Sequence, residues 1–206
     1  MDPYDGFPAG FFDRADPTPD PDFYRPPRLV THIDAGAIAA VGDLYAELGL
    51  TGRVLDLMSS WVSHFRTPPR QLVVLGLNQV ELMMNPAATE RIVHDLNADP
   101  RIPLPHGDVD AVVCCVSLDY LTRPVEVLAE AARVLRPGGP LAVTYSNRCF
   151  PTKAVRGWLS LDDAGRGRLV ADLVRRTGRF DPARIELRTP PGSLGDPLWA
   201  VIAHRL

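Results

Sequence analysis

The chain of 206 residues is 46% apolar and 23% charged, which is enough apolar mass for a packed core and excludes global disorder. Twenty-two basic against twenty-five acidic side chains leave a formal charge of −3, which argues against a nucleic-acid-binding surface. No apolar run approaches the ~18 residues of a membrane span. The acidic, proline-bearing start Met1 to Gly10 is unlike a secretion signal. The expectation is a cytoplasmic protein. Cys114, Cys115 and Cys149 are too few for a disulfide framework, and the adjacent pair lies in an apolar run where a free thiol acts as a small hydrophobe.

Residues 1 to about 28 hold seven prolines together with Tyr4, Phe7, Phe11, Phe12, Phe23 and Tyr24. Proline at this density blocks helix and central strand, while disordered tails are poor in aromatics. The segment reads as an extended arm or lid over residues 1–33, held to a domain of residues 34–206 by its rings. A loose tail is the alternative.

Asp34 then caps a helix whose inner face is Ile38, Val41, Leu44, Tyr45 and Leu48, stopped by Gly49 and Gly52. Arg53–Leu57 reads as a strand, Ser59–Phe65 as the start of a helix halted by Pro68 and Pro69, and Gln71–Leu75 as a second strand. Asn85-Pro86 predicts the cap and first turn of a short helix, and Arg91–Leu96 a third strand. Ala111–Val116, apolar on both faces, suits a central parallel strand. Thr122 and Pro124 open a helix closed by Pro137-Gly138-Gly139, followed by a strand over Leu141–Tyr145. A helix over Ala164–Arg176 and strands over Ala183–Arg188 and Leu198–His204 complete the pattern. Alternating strands and helices of this kind predict a single α/β domain. Its sheet would be doubly wound, Rossmann-like, seven-stranded and mostly parallel, with helices on both faces. Ligands in such sheets sit beyond the carboxyl ends of the central strands.

Three segments carry a resemblance. Val54-Leu-Asp-Leu57, Ile102 to Val113 with its Pro-Leu-Pro-His-Gly-Asp lead, and Arg133-Val-Leu-Arg-Pro-Gly-Gly139 stand in the order and spacing of the class I S-adenosylmethionine-dependent methyltransferase superfamily. The chain looks like a methyltransferase type 11 subgroup whose first loop reads Ser-Ser-Trp-Val-Ser-His, as Ser59 to His64 do. The resemblance implies S-adenosylmethionine as cofactor, Asp56 at the acidic position of the first strand, and Asp95-Leu96 as the pair holding the adenine. It also sets two departures in relief. The first loop is normally glycine-rich so that backbone can approach the cofactor and adopt positive φ; here it is Met58, Ser59, Ser60, Trp61 and Val62. The end of the second strand normally supplies an acid for the ribose hydroxyls; here Gly76 stands there, with Asn78 two residues on as a weaker acceptor.

The candidate cofactor-binding residues are therefore Asp56, Ser59, Ser60, Trp61, Asn78, Asp95, Leu96 and Ser117, and the candidate catalytic residues Asp119, His64 and Tyr120. Asp119 and Tyr120 follow the central strand, where the chain leaves the sheet at the pocket floor. His64 titrates near neutral pH and suits a general base. Trp61 is equally a plug for the volume the glycines vacated. His32 lies where the arm meets the first helix. Arg148 and Lys153 offer positive charge at the mouth, or plain surface solubility. The scattered histidines give a metal site little support. The expected activity is methyl transfer to a small-molecule acceptor, with no nucleic-acid or membrane partner and a homodimer left open. The alternatives are a catalytically silent or repurposed member acting as a binding or regulatory partner, or different chemistry in the same pocket with His64 or Asp119 as proton shuttle.

Overall fold

Proline placement shapes the start of the chain. The computed structural model describes residues 2–192 and 194–206, and in it the arm is not wholly extended: Pro19 stands before one helical turn, α1 (Asp20–Phe23). A proline at a helix start forfeits an N–H that would have no partner there, so the density of proline does not forbid this turn. Tyr4, Phe7, Phe11 and Phe12 form a cluster of edge-on and tilted rings, about 5 Å between centroids. That cluster packs against the core, and the Tyr4 hydroxyl donates to the Glu126 carboxylate.

After the arm come α2 (Ala35–Glu47), β1 (Arg53–Leu57), β2 (Gln71–Gly76), α3 (Gln79–Met84), β3 (Glu90–Val93) and β4 (Ala111–Cys115). A 3-10 turn (Leu118–Tyr120) leads to α4 (Pro124–Val134), β5 (Pro140–Tyr145), α5 (Arg156–Leu159), α6 (Asp163–Arg176), β6 (Arg184–Leu187) and β7 (Trp199–His204). The strands form one seven-stranded sheet in the order β3-β2-β1-β4-β5-β7-β6. The pairings from β3 to β5 are parallel, and both pairings of β7 are antiparallel, so the sheet is mixed with a parallel centre.

Strand parity explains the two cores. Leu55, Leu57, Val73, Leu75, Val112, Cys114, Leu141 and Val143 pack with α4 and α6, while Val54, Leu72, Val74, Ala111 and Val113 pack with α2 and Leu82 of α3. Asp34 caps α2 by accepting the Ala37 N–H at 2.8 Å, as its sequence position predicts. The aromatic start of the arm lies with the α4/α6 face, and its end runs into α2 on the other face, so the arm crosses the carboxyl edge of the sheet between them.

Two expectations are corrected. Ser59–Phe65 forms no helix, because Met58 (φ 55°) and His64 (φ 46°) bend the backbone into the left-handed region at both ends. The short helix precedes Asn85 instead of following it. Asn78 caps α3 by accepting the N–H groups of Val80 and Glu81, and Arg91 donates to the carbonyls of Leu82 and Asn85 at the other end. Asn85 is fully buried and brackets α3 to the β1 loop, donating to the Ser60 carbonyl and the Ser63 hydroxyl.

Candidate functional site

The order β3-β2-β1-β4-β5 reverses between β1 and β4, and the loops leaving those two strands diverge there. Such a switch point opens a crevice at the carboxyl edge. A cavity of about 290 Å³ occupies it, just under the ~300–1,000 Å³ of small-molecule sites. Its wall comes from the loops after β1, β2, β3, β4 and β5 and from the arm, which contributes Tyr24, Arg28 and His32 among others.

Backbone strain concentrates here. Among the described residues the non-glycine positions with positive φ are His32 (62°), Met58 (55°), His64 (46°) and Val116 (44°), and all four line this cavity. A β-branched residue such as Val116 resists that region most. Each such position costs ~1–3 kcal/mol and persists where surroundings over-determine it, as at functional sites. Met58 therefore adopts the conformation for which a glycine would ordinarily be needed.

The β1 loop is tied down from below and from the side. Ser59 donates its hydroxyl to Asp56 at 2.7 Å and its N–H to the Leu75 carbonyl at 2.8 Å. Ser60 donates its hydroxyl to Glu81 at 2.6 Å. Each hydroxyl has a single hydrogen, so neither serine keeps a side-chain donor for an incoming carboxylate in this arrangement. Asp56 is buried beneath the loop; burial pushes its carboxyl up to about 6, against the opposing pull of the Ser63 and Ser59 hydroxyls. Trp61 does not fill the cavity. Its indole N–H donates to the Val30 carbonyl at 2.9 Å, so the ring stands at the wall and joins the loop to the arm.

On the β2 side, Asn78 lines the cavity while its amide is committed. Its oxygen caps α3 and its nitrogen donates to the carbonyls of Tyr24 and Arg25. Beyond β3, Asp95 accepts the N–H groups of Asn97 and Ala98, and Leu96 is buried beside it. Beyond β4, Ser117 and Tyr120 line the cavity, and the Tyr120 hydroxyl accepts the Phe150 N–H at 2.9 Å. Burial raises the Tyr120 phenol far above its ordinary value, so it stays protonated. Burial lowers the imidazoles of both His32 and His64, which leaves them neutral at pH 7.

The structure thus brings together Asp56, Ser59, Ser60, Trp61, His64, Asn78, Asp95, Leu96, Ser117 and Tyr120. Asp119 stands apart. The 3-10 turn carries its side chain away from the lining and into the protein, where Oδ2 has no hydrogen-bond partner among the described residues. Lys153 is a second correction. It is fully buried, its Nζ donating to the Thr18 carbonyl at 2.6 Å with Asp20 at 3.3 Å, so it pins the arm and adds no charge at the mouth. Arg148 does line the cavity, bound to Asp196 at 2.8 Å. Glu81 was missed. The spacing Asn78-x-x-Glu81 is a helix-start signature that could have placed α3 and drawn attention to it.

The fold is similar to that of solved S-adenosylmethionine-dependent methyltransferases. A methyltransferase from Archaeoglobus fulgidus matches it with a TM-score of 0.61 at 13% identity, over 82% of this chain and 92% of that one. The geranyl diphosphate C-methyltransferase of Streptomyces coelicolor, solved with S-adenosyl-L-homocysteine, matches with a TM-score of 0.54 at 13% identity, over 82% of this chain and 77% of that one. In sequence, the model of the family described as a methyltransferase domain matches residues 51–143. An uncharacterised methyltransferase of Mycobacterium tuberculosis is 26% identical over 204 residues, covering 98% of this chain and 68% of its own length. The likeness to methyltransferases read from the three motifs thus extends to a family model, a sequence relative and solved folds. Among the described residues no helix is long and apolar enough to cross a membrane.

Proposed function

We propose that this chain binds S-adenosylmethionine in the switch-point cavity and directs methyl transfer to a small-molecule acceptor. The observation that carries the reading is the convergence, on one crevice at the carboxyl edge, of the sequence-assigned cofactor positions on β1, β2, β3 and β4. The chemistry of the wall fits the group. A sulfonium cation favours carboxylates and aromatic faces, and this cavity presents Asp56, Glu81 and Asp95 together with Tyr24, Tyr120 and Phe150.

In this reading Asp95 and Leu96 hold the adenine, the loop from Asp56 through Ser59, Ser60 and Trp61 forms the wall along the amino-acid end, and Ser117 forms the floor. Asn78 shapes the wall by holding the arm. Bound cofactor supplies an electrophilic methyl group. The protein's work is to exclude water, align the acceptor and take its proton. His64, neutral at pH 7 and on the cavity wall, is the assigned base, and the protonated Tyr120 phenol orients the acceptor. Asp119 is outside the lining and receives no role in contact with substrate. The arm and residues 148–160 form the lid of a domain spanning 34–206. A glycine-free Ser-Ser-Trp-Val-Ser-His subgroup, a cytoplasmic location, no nucleic-acid partner and an open question of homodimerisation complete the proposal.

Calorimetric titration with S-adenosylmethionine and S-adenosylhomocysteine tests it. Submillimolar binding is expected. No heat and no thermal shift, from folded protein, would overturn it in favour of a silent fold that serves as a binding or regulatory partner.

A further inference from the structure

We infer that Glu81, one turn into α3, supplies the carboxylate that takes the ribose hydroxyls of the bound nucleoside. This rests on the methyl-donor reading above and names a residue for a task that the chain's own packing forbids at the end of β2.

The packing begins at Gly76. A Cβ built there would lie 2.3 Å from the Ser59 carbonyl oxygen and 3.2 Å from Leu82 Cδ2. No side chain, and so no acid, fits at this position. The cause is the path of the β1 loop. Met58 turns left-handed, and the Ser59 N–H then stitches the loop to the Leu75 carbonyl, laying backbone over the end of β2. The loop without glycine and the strand end without an acid are therefore one structural change: the loop's backbone fills the space that the acid would use.

Glu81 lies on the same side of the cavity. The residue is buried, 8% exposed, yet it lines the cavity. Its carboxylate sits between two other lining residues, accepting the Ser60 hydroxyl at 2.6 Å on Oε2 and the Arg28 N–H at 2.7 Å on Oε1. These bonds use one lone pair on each oxygen and fix the group's orientation. The second lone pair on each oxygen matches the two donors of a vicinal diol. The other acids of the wall are occupied elsewhere. Asp56 lies under the loop, bound to Ser59. Asp20 is held by Arg14, Asn97 and Lys153. Asp95 caps a turn on the β3 side.

The test compares binding of S-adenosylhomocysteine with that of its 2′-deoxyribose counterpart, in wild type and in Glu81→Gln. Wild type should prefer the ribose form by about 10- to 100-fold, the range for charge-assisted hydrogen bonds. In Glu81→Gln that preference should fall to within about threefold. A purely structural Glu81 would weaken both ligands equally and leave the preference intact, and that result overturns the inference. So does a wild type that binds both forms equally. If wild type binds neither ligand, the methyl-donor reading fails and takes this inference with it; binding without a Glu81 effect sinks the inference alone. Should Glu81→Gln not fold, Glu81→Asp keeps the charge but withdraws it from the diol, and the preference must drop there.

Discussion

Asp119 is buried with one oxygen unpaired among the described residues, and the cost of holding its charge in that place should be visible as a pH dependence of folding. Burial pushes its carboxyl up to about 8, outweighing its own backbone N–H and the more distant Arg166. In the unfolded chain the same group ionises near pH 4. Between pH 4 and 8 the folded state thus keeps a proton that the unfolded state has released, and stability falls as pH rises through that window, at up to about 1.4 kcal/mol per pH unit. Asp119→Asn, neutral throughout, should flatten the slope between pH 5 and 8 in denaturant titrations. An unchanged slope would mean that the charge is better solvated than its surroundings indicate. A ligand-side expectation concerns Asp95: Asp95→Ala should weaken S-adenosylhomocysteine binding about 10- to 100-fold in calorimetry. Most of the candidate residues fall on the cavity wall because strand ends are readable in sequence and the cavity opens beyond them. What sequence could not show was burial. Lys153 read as charge at the mouth and Asp119 as a group on the pocket floor, and only the folded chain reveals that one pins the arm and the other is sealed away.

At the scale of elements, the arm is secured to α5 by a contact that tolerates no side chain. A Cβ on Gly157 would lie 2.1 Å from Phe11 Cε1, and the Gly157 and Arg156 N–H groups donate to the Phe11 and Asp13 carbonyls at 2.8 Å. Gly157→Ala must therefore displace the Phe11 ring and those two bonds. The expected result is faster amide exchange over residues 4–24, with the sheet strands unchanged. Lys153→Met should act on the same segment from inside, leaving the buried Asp20 with Arg14 as its remaining cation. Breaking buried ion pairs costs ~3–5 kcal/mol, and the surviving Arg14 bond should hold the loss toward the lower end in urea melts. The strands and the long helices were predicted within a few residues because long apolar patterns leave few alternatives. The β1 loop and α3 were not. Their geometry depends on left-handed residues and on brackets such as Asn85 to Ser60, contacts between segments that are distant in sequence and carry no local pattern.

Across the whole molecule, the cavity is a joint product of sheet and arm. The arm crosses the carboxyl edge and is fastened on the cavity side by bonds from Trp61 to Val30, Glu81 to Arg28 and Asn78 to Tyr24. A ligand that fills the crevice touches both partners, so binding and arm closure share one free energy. Saturation at 100 times the dissociation constant adds about 2.7 kcal/mol of stability. For a chain of this size that corresponds to a rise of roughly 5–10 °C in Tm. The gain should be distributed unevenly. Amide exchange should slow most over residues 20–32 and 58–64, which face each other across the cavity, and little in β6 and β7 at the far edge of the sheet. Trp61→Phe retains the ring but removes the N–H that joins loop to arm. Slowing over 20–32 should then weaken while that over 58–64 persists. Equal protection of both segments in that variant would show that the arm closes without the indole bond, leaving Glu81 and Asn78 as its cavity-side fastenings.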